Sequence, residues 1–195
     1  MPRVQVAFLS LTLAACLPGA WAEESVEVQQ ARALSVELVQ ALGAALKQAL
    51  SEGGPENAIA VCRDTAPDLA GNLSRRTGWR IARVSLKPRN PLLGQPDAWE
   101  QKALRHFDQI AAGGDALDRL ELHEMVEEPD GLYLRYVKAL PVQQICLTCH
   151  GQKENLAAPI QALLQEHYPH DRATGYRLGE VRGAVTVKRR LSAAR

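Results

Sequence analysis

Between Ser25 and Ala49, apolar residues recur at intervals of three and four: Val28, Ala31, Leu38, Leu42, Ala45 and Ala49, with Glu27, Gln30, Glu37, Gln40 and Lys47 between them. The spacing predicts an amphipathic helix with one packed face, closed by Gly53-Gly54. Pro55 suits a first helical position, and a second stripe runs through Ile59, Cys62, Ala66, Leu69 and Leu73, which puts Cys62 on the buried face. Pro67 has no N–H for the carbonyl four residues back, so this helix should kink or restart just after Cys62; Gly78 ends it. The period then changes to two: Trp79, Ile81, Arg83 and Ser85 alternate with Arg80, Ala82, Val84 and Leu86, which predicts a strand. Pro88, Pro91, Gly94 and Pro96 make a stiff loop. Asp97 and Glu100 then stand at capping-box spacing before a helix with Trp99, Ala103, Phe107 and Ile110 on its apolar face.

Further on, Leu120, Leu122 and Val126 alternate with Glu121, His123 and Met125, the turn residues Pro129-Asp130-Gly131 follow, and Leu132, Leu134 and Tyr136 return. This is a hairpin pattern, and Pro141 ends its second strand. A helix over 154–168, with Pro159 as an alternative start, turns Ile160, Leu163 and Leu164 inward. A last strand over 183–191 carries Val185 and Val187 on one side. The element order predicts an α+β fold: a mostly antiparallel sheet with flanking helices and a long N-terminal helix.

Composition narrows the class. Met1-Pro2-Arg3, the apolar run from Val4 to Ala15 and the small-x-small site Ala20-Trp21-Ala22 read as a secretory signal over residues 1–22, leaving a single domain over 23–195. An alternative sits inside it: Leu13-Ala14-Ala15-Cys16 resembles a lipobox, in which Cys16 would be lipidated and would hold the chain to a membrane. Either route exports the chain, in a bacterium to the periplasm. The formal net charge is +1, which gives no support for nucleic acid or an anionic membrane surface as partner.

Four cysteines are present. Cys146-Leu147-Thr148-Cys149-His150 is the C-x-x-C-H run that covalent attachment of one c-type haem requires: two thiols for the two vinyl groups and a histidine for the proximal side of the iron. A dithiol redox pair would call for a cytosolic βαβ frame, and a zinc site for a second ligand pair at matching spacing; the sequence has neither. With Cys16 in the signal, Cys62 is left as one unexplained thiol in an oxidising compartment. The sixth iron position then has Met125, His106, His123, His167, His170 and Cys62 as candidates. Cys62 has the best case, since a bound iron stabilises a thiolate that burial alone disfavours.

Several blocks together resemble a family of secreted monohaem c-type proteins with a PAS-like fold, first described from a cyanobacterium. They are Ala58 to Cys62, Ala66-Pro67, Arg83 to Leu86 with Arg89-Asn90-Pro91, Pro96 to Glu100, Cys146 to Gly151, Asp171 to Tyr176 and Gly179 to Ala184. The resemblance covers about residues 25–190 and departs from the family at Leu92-Leu93-Gly94-Gln95, where small residues and an Asn are expected. It implies axial ligation by His150 and Cys62. Arg89, Arg172 and Arg182 lie in the shared blocks and are candidates for the haem propionates. The function this reading anticipates is non-enzymatic: a redox or gas sensor, with CO or NO as ligand, or a low-potential one-electron carrier, working with a redox or signalling partner or as a homodimer. The competing class is a haem enzyme, peroxidase-like or nitrite- or sulfur-converting, with an open distal position furnished by His106 or His123.

Overall fold

A computed structural model describes residues 24–114 and 116–193; the signal segment and Cys16 lie outside the described residues. Helix α1 (Val26–Ala60) is capped by Ser25, whose side chain accepts the Val28 N–H. It is two helical runs joined at a kink, where Gly53 and Gly54 leave helical geometry. Gly54, at φ 70° and ψ −163°, takes a conformation that L side chains rarely adopt, and Pro55 restarts the turn behind it. The glycine pair therefore acts as expected, although the second run follows without a loop.

Val61–Thr65 forms one wide π turn before helix α2 (Ala66–Thr77). The Ala66 N–H reaches back five residues to the Val61 carbonyl. Pro67 removes the next N–H, and the extra residue in the turn takes up the mismatch; the expected disturbance after Cys62 is this bulge. Gly78 closes α2 in the left-handed region at φ 72°.

The sheet consists of β1 (Arg80–Val84), β2 (Glu121–Glu128), β3 (Gly131–Pro141) and β4 (Val181–Ala193), in the order β1-β4-β3-β2 with every pair antiparallel. The hairpin register closes with Glu128 opposite Gly131, so Pro129 and Asp130 form the turn. Helix α3 (Pro91–Gly94) is a single turn after β1. Helix α4 (Ala98–Ala112) starts with the anticipated capping box, Asp97 and Glu100 each accepting the other's backbone N–H. Helices α5 (Leu147–His150) and α6 (Ala158–His167) follow β3.

The sheet is the middle layer. Helices α1 and α2 cover one face, where Leu38, Ile81, Leu134, Tyr136, Val185 and Val187 pack together. Helix α4 covers the other with Ala103, Leu104 and Phe107 against Val84, Val137, Ala139 and Ala184. Side chains such as Leu38, Phe107 and Val187 are fully enclosed; each contributes roughly 1.5–3 kcal/mol of hydrophobic stabilisation. Because β3 and β4 are central and covered on both sides, Val185 and Val187 face one way, as expected, while Ala184 and Thr186 are equally buried on the other. A buried charge network ties α4 to this second face. Fully enclosed Glu100 accepts from Arg80 at 2.9 Å and from Thr186 at 2.8 Å, and Arg135 lies 3.5 Å away. Among the described residues no helix is long and apolar enough to cross a membrane.

Candidate functional site

A cavity of about 500 Å³ opens where α1, the π turn, β1, α3 and the segment after β3 meet. This lies within the size range of small-molecule sites. Cys146 ends a short 3₁₀ turn, and Cys149 and His150 sit on the single turn of α5; all three line the cavity. Gly151 permits the exit from that turn. A Cβ there would stand 2.6 Å from the Leu147 carbonyl oxygen, whose bond from the Gly151 N–H closes the turn. The segment then runs beside residues 173–176: Gly175 N–H donates to the Gly151 carbonyl and Tyr176 N–H to that of His150.

This pairing sets the imidazole. His150 Nδ1 donates to the Ala173 carbonyl at 2.6 Å, so the proton resides on Nδ1 and Nε2 keeps its lone pair. Arg182 Nε, which can only donate, stands 3.5 Å from Nε2 and agrees with this. Burial, reinforced by Arg182 and Arg89, holds the His150 pKa well below the usual imidazole range, so the ring is neutral. A neutral imidazole oriented through Nδ1, with an Nε2 lone pair met only by the long Arg182 contact, is chemically suited to be a metal ligand. Burial also pushes the Cys149 thiol up, against the pull of Arg89.

Cys62, on the π turn, lines the same cavity and is half-buried, not enclosed in the core as its helical stripe suggested. The wide turn accounts for the difference, because it rotates the residues before Pro67 out of the regular stripe. None of the other candidates for a sixth ligand lines the cavity. Met125 is 46 % exposed on β2, and His106, His123 and His170 are exposed. His167 instead takes up Arg63, whose Nη1 stands 3.1 Å from its Nε2. Among the described residues, no three His, Cys, Asp or Glu side chains cluster as a metal site made of protein ligands alone.

The three arginines named from the sequence stand in different surroundings. Arg89 is buried and engaged: Nε donates to Asp171 at 3.1 Å and Nη2 to the Cys149 carbonyl at 2.5 Å. Asp171 in turn accepts the Ala173 N–H at 2.7 Å, so this pair braces the carbonyl that orients His150. Arg172 is exposed and outside the cavity lining. Arg182 lines the cavity and donates to Ser85 Oγ at 3.0 Å. Arg83, a strand residue in the sequence pattern, is not among the site residues expected from it. It lines the cavity from β1 with no hydrogen bond or ion pair to any described residue, and burial lowers its pKa. The signal that could have found it is its place in the alternation: it shares a strand face with Trp79 and Ile81, both core residues. The cavity wall thus carries Arg63, Arg83, Arg89 and Arg182 and no aspartate or glutamate. Two thiols beside a neutral imidazole, a third thiol in the same cavity and excess positive charge suit a metal-centred, anionic, covalently held group.

Fold and cavity together describe an α+β protein whose C-x-x-C-H segment lines a cavity between helices and sheet. The Tll0287-like family profile matches residues 21–189, and the chain belongs to that family. It is also similar to the crystal structure of the cyanobacterial heme-protein Tll0287, with 25% sequence identity and a TM-score of 0.63. The match spans 88% of this chain and all of that one. No curated protein matches the sequence.

Proposed function

We propose that this protein is an exported monohaem c-type protein in which Cys146 and Cys149 hold the porphyrin through thioethers and His150 and Cys62 are the axial ligands. One observation carries the reading: among the described residues, Cys62 is the sole candidate sixth ligand that shares the cavity with the C-x-x-C-H residues. Membership of the Tll0287-like family and similarity to a heme-protein support it. The bound group would supply one-electron redox chemistry and a position for a small ligand such as CO or NO. His150 enters as a neutral donor fixed through Ala173. Cys62, a thiolate when bound, favours the ferric state and a low potential. Its place on a π turn, half-buried and outside the regular helical hydrogen-bond pattern, suits a ligand that can be exchanged. The role is therefore a redox or gas sensor, or a low-potential one-electron carrier, and not an enzyme. His106 and His123, the polar groups an enzymatic distal side would draw on, are exposed away from the cavity. Export to the periplasm through residues 1–22, and membrane attachment if Cys16 is lipidated, belong to the same reading.

The test is to express the full chain with cytochrome c maturation machinery and to record absorption and EPR spectra of ferric wild type and Cys62→Ala. Low-spin thiolate signals in the wild type, lost in the variant, are expected, while identical spectra would refute the ligand assignment. CO and NO titration of the ferrous form, with the midpoint potential, then separates sensor from carrier.

A further inference from the structure

Buried guanidinium groups are ordinarily paired, since stripping water from a charge without a partner costs several kcal/mol. Two arginines of the cavity, both only part-buried, have no carboxylate partner. Among the described residues Arg83 has no hydrogen-bond or ion-pair partner, and Arg182 donates to neutral atoms, Ser85 Oγ at 3.0 Å and the Lys87 carbonyl at 3.4 Å, besides its approach to His150 Nε2. With no Asp or Glu in the wall, neither charge is compensated from within the site. They sit on neighbouring strands. Arg83 is on β1 opposite Val185 of β4, Arg182 is three residues before Val185, and the two charges repel each other. Two adjacent, open, planar donors match two carboxylates on one molecule.

We propose that Arg83 and Arg182 bind the two propionate carboxylates of the porphyrin, and that Arg89 is a positioning residue that makes no contact with them. The assignment rests on the haem reading above. It places the carboxylate edge of the group against β1 and the start of β4, while the thioethers are anchored on the segment after β3. Arg89 is set apart because its charge is already compensated by Asp171 through Nε and its Nη2 is held by the Cys149 carbonyl, and Arg172 because it lies outside the cavity. Arg63 is tied to Asp64 at 2.8 Å and to His167.

The experiment uses the matured, haem-bearing full chain as wild type, Arg83→Gln, Arg182→Gln and, as a control on the exposed face of α4, Arg105→Gln. Covalent haem is read by mass and by in-gel haem staining, and the midpoint potential is followed between pH 5 and 9. Losing a charge-assisted hydrogen bond should raise the propionate pKa by about one to two pH units. Arg83→Gln and Arg182→Gln are each expected to lower the potential and to bring a new pH-dependent segment into this range. Arg105→Gln keeps the wild-type profile. Wild-type potentials and profiles in both cavity variants would overturn the assignment while leaving the haem reading intact; a wild-type chain that takes up no haem would overturn both. If Arg83→Gln alone fails to load haem, Arg83→Lys should restore loading, and failure of both variants counts against a carboxylate-binding role.

Discussion

Removing the Asp171 carboxylate should be among the most damaging single changes near the site. Its partner Arg89 is buried, with side-chain exposures of 8 % and 11 % for the two residues, and their contact is 3.1 Å. Breaking a buried ion pair from one side costs about 3–5 kcal/mol, because the remaining charge stays desolvated. Arg89 retains the Cys149 carbonyl as acceptor, which places Asp171→Ala near the lower end, about 3 kcal/mol. For a chain of this size that corresponds to a fall in Tm of roughly 6–12 °C. Asp171→Asn keeps an acceptor for the Ala173 N–H and should lose less, about 1–2 kcal/mol. Thermal and urea unfolding followed by circular dichroism at pH 7 measure both. Pairing Arg89→Met with Asp171→Leu should then cost less than the sum of the single changes, since no orphaned charge remains. An Asp171→Ala variant within about 0.5 kcal/mol of wild type, or strict additivity in the cycle, would refute the argument.

Two further outcomes follow from the packing. A Cβ at Gly183 would stand 2.3 Å from the Val84 carbonyl oxygen and 3.1 Å from Ser85 Cβ, so Gly183→Ala must push β1 away from β4; a loss of about 1–3 kcal/mol in urea unfolding is expected, and wild-type stability would show that the strands separate freely. Burial pushes the Glu121 carboxyl up, but hydrogen bonds from Arg32 and from Tyr136, the latter at 2.7 Å, outweigh it and hold its pKa below the usual range. A carboxyl depressed in the folded state contributes stability that is complete above its unfolded pKa and is lost as pH falls through its lower folded pKa. Stability should therefore decline below the ordinary glutamate range, and Glu121→Gln should flatten that acid limb in pH-dependent unfolding; an unchanged limb would remove Glu121 from the account.

Local periodicity determined much of this protein. The α1 stripe, its Gly53-Gly54 break, the Asp97–Glu100 capping box and the hairpin turn at Pro129-Asp130 all depend on residues within a few positions of one another, so they could be read without the fold. The C-x-x-C-H run was legible for the same reason, its chemistry being written into five consecutive residues. Cys62 was legible as a spare thiol but not as a cavity residue. That position depends on the π turn forced by Pro67 and on α1 packing beside the segment after β3, 84 residues further along the chain if counted from Cys62 to Cys146. The arginines show the limit most clearly. Arg89 and Arg83 are alike in composition and close in sequence, yet tertiary contact gives one a buried carboxylate and leaves the other facing an open cavity. A charge acquires its role from the partner it finds, and for these residues the partner, or its absence, comes from strands and loops that only the folded chain brings together.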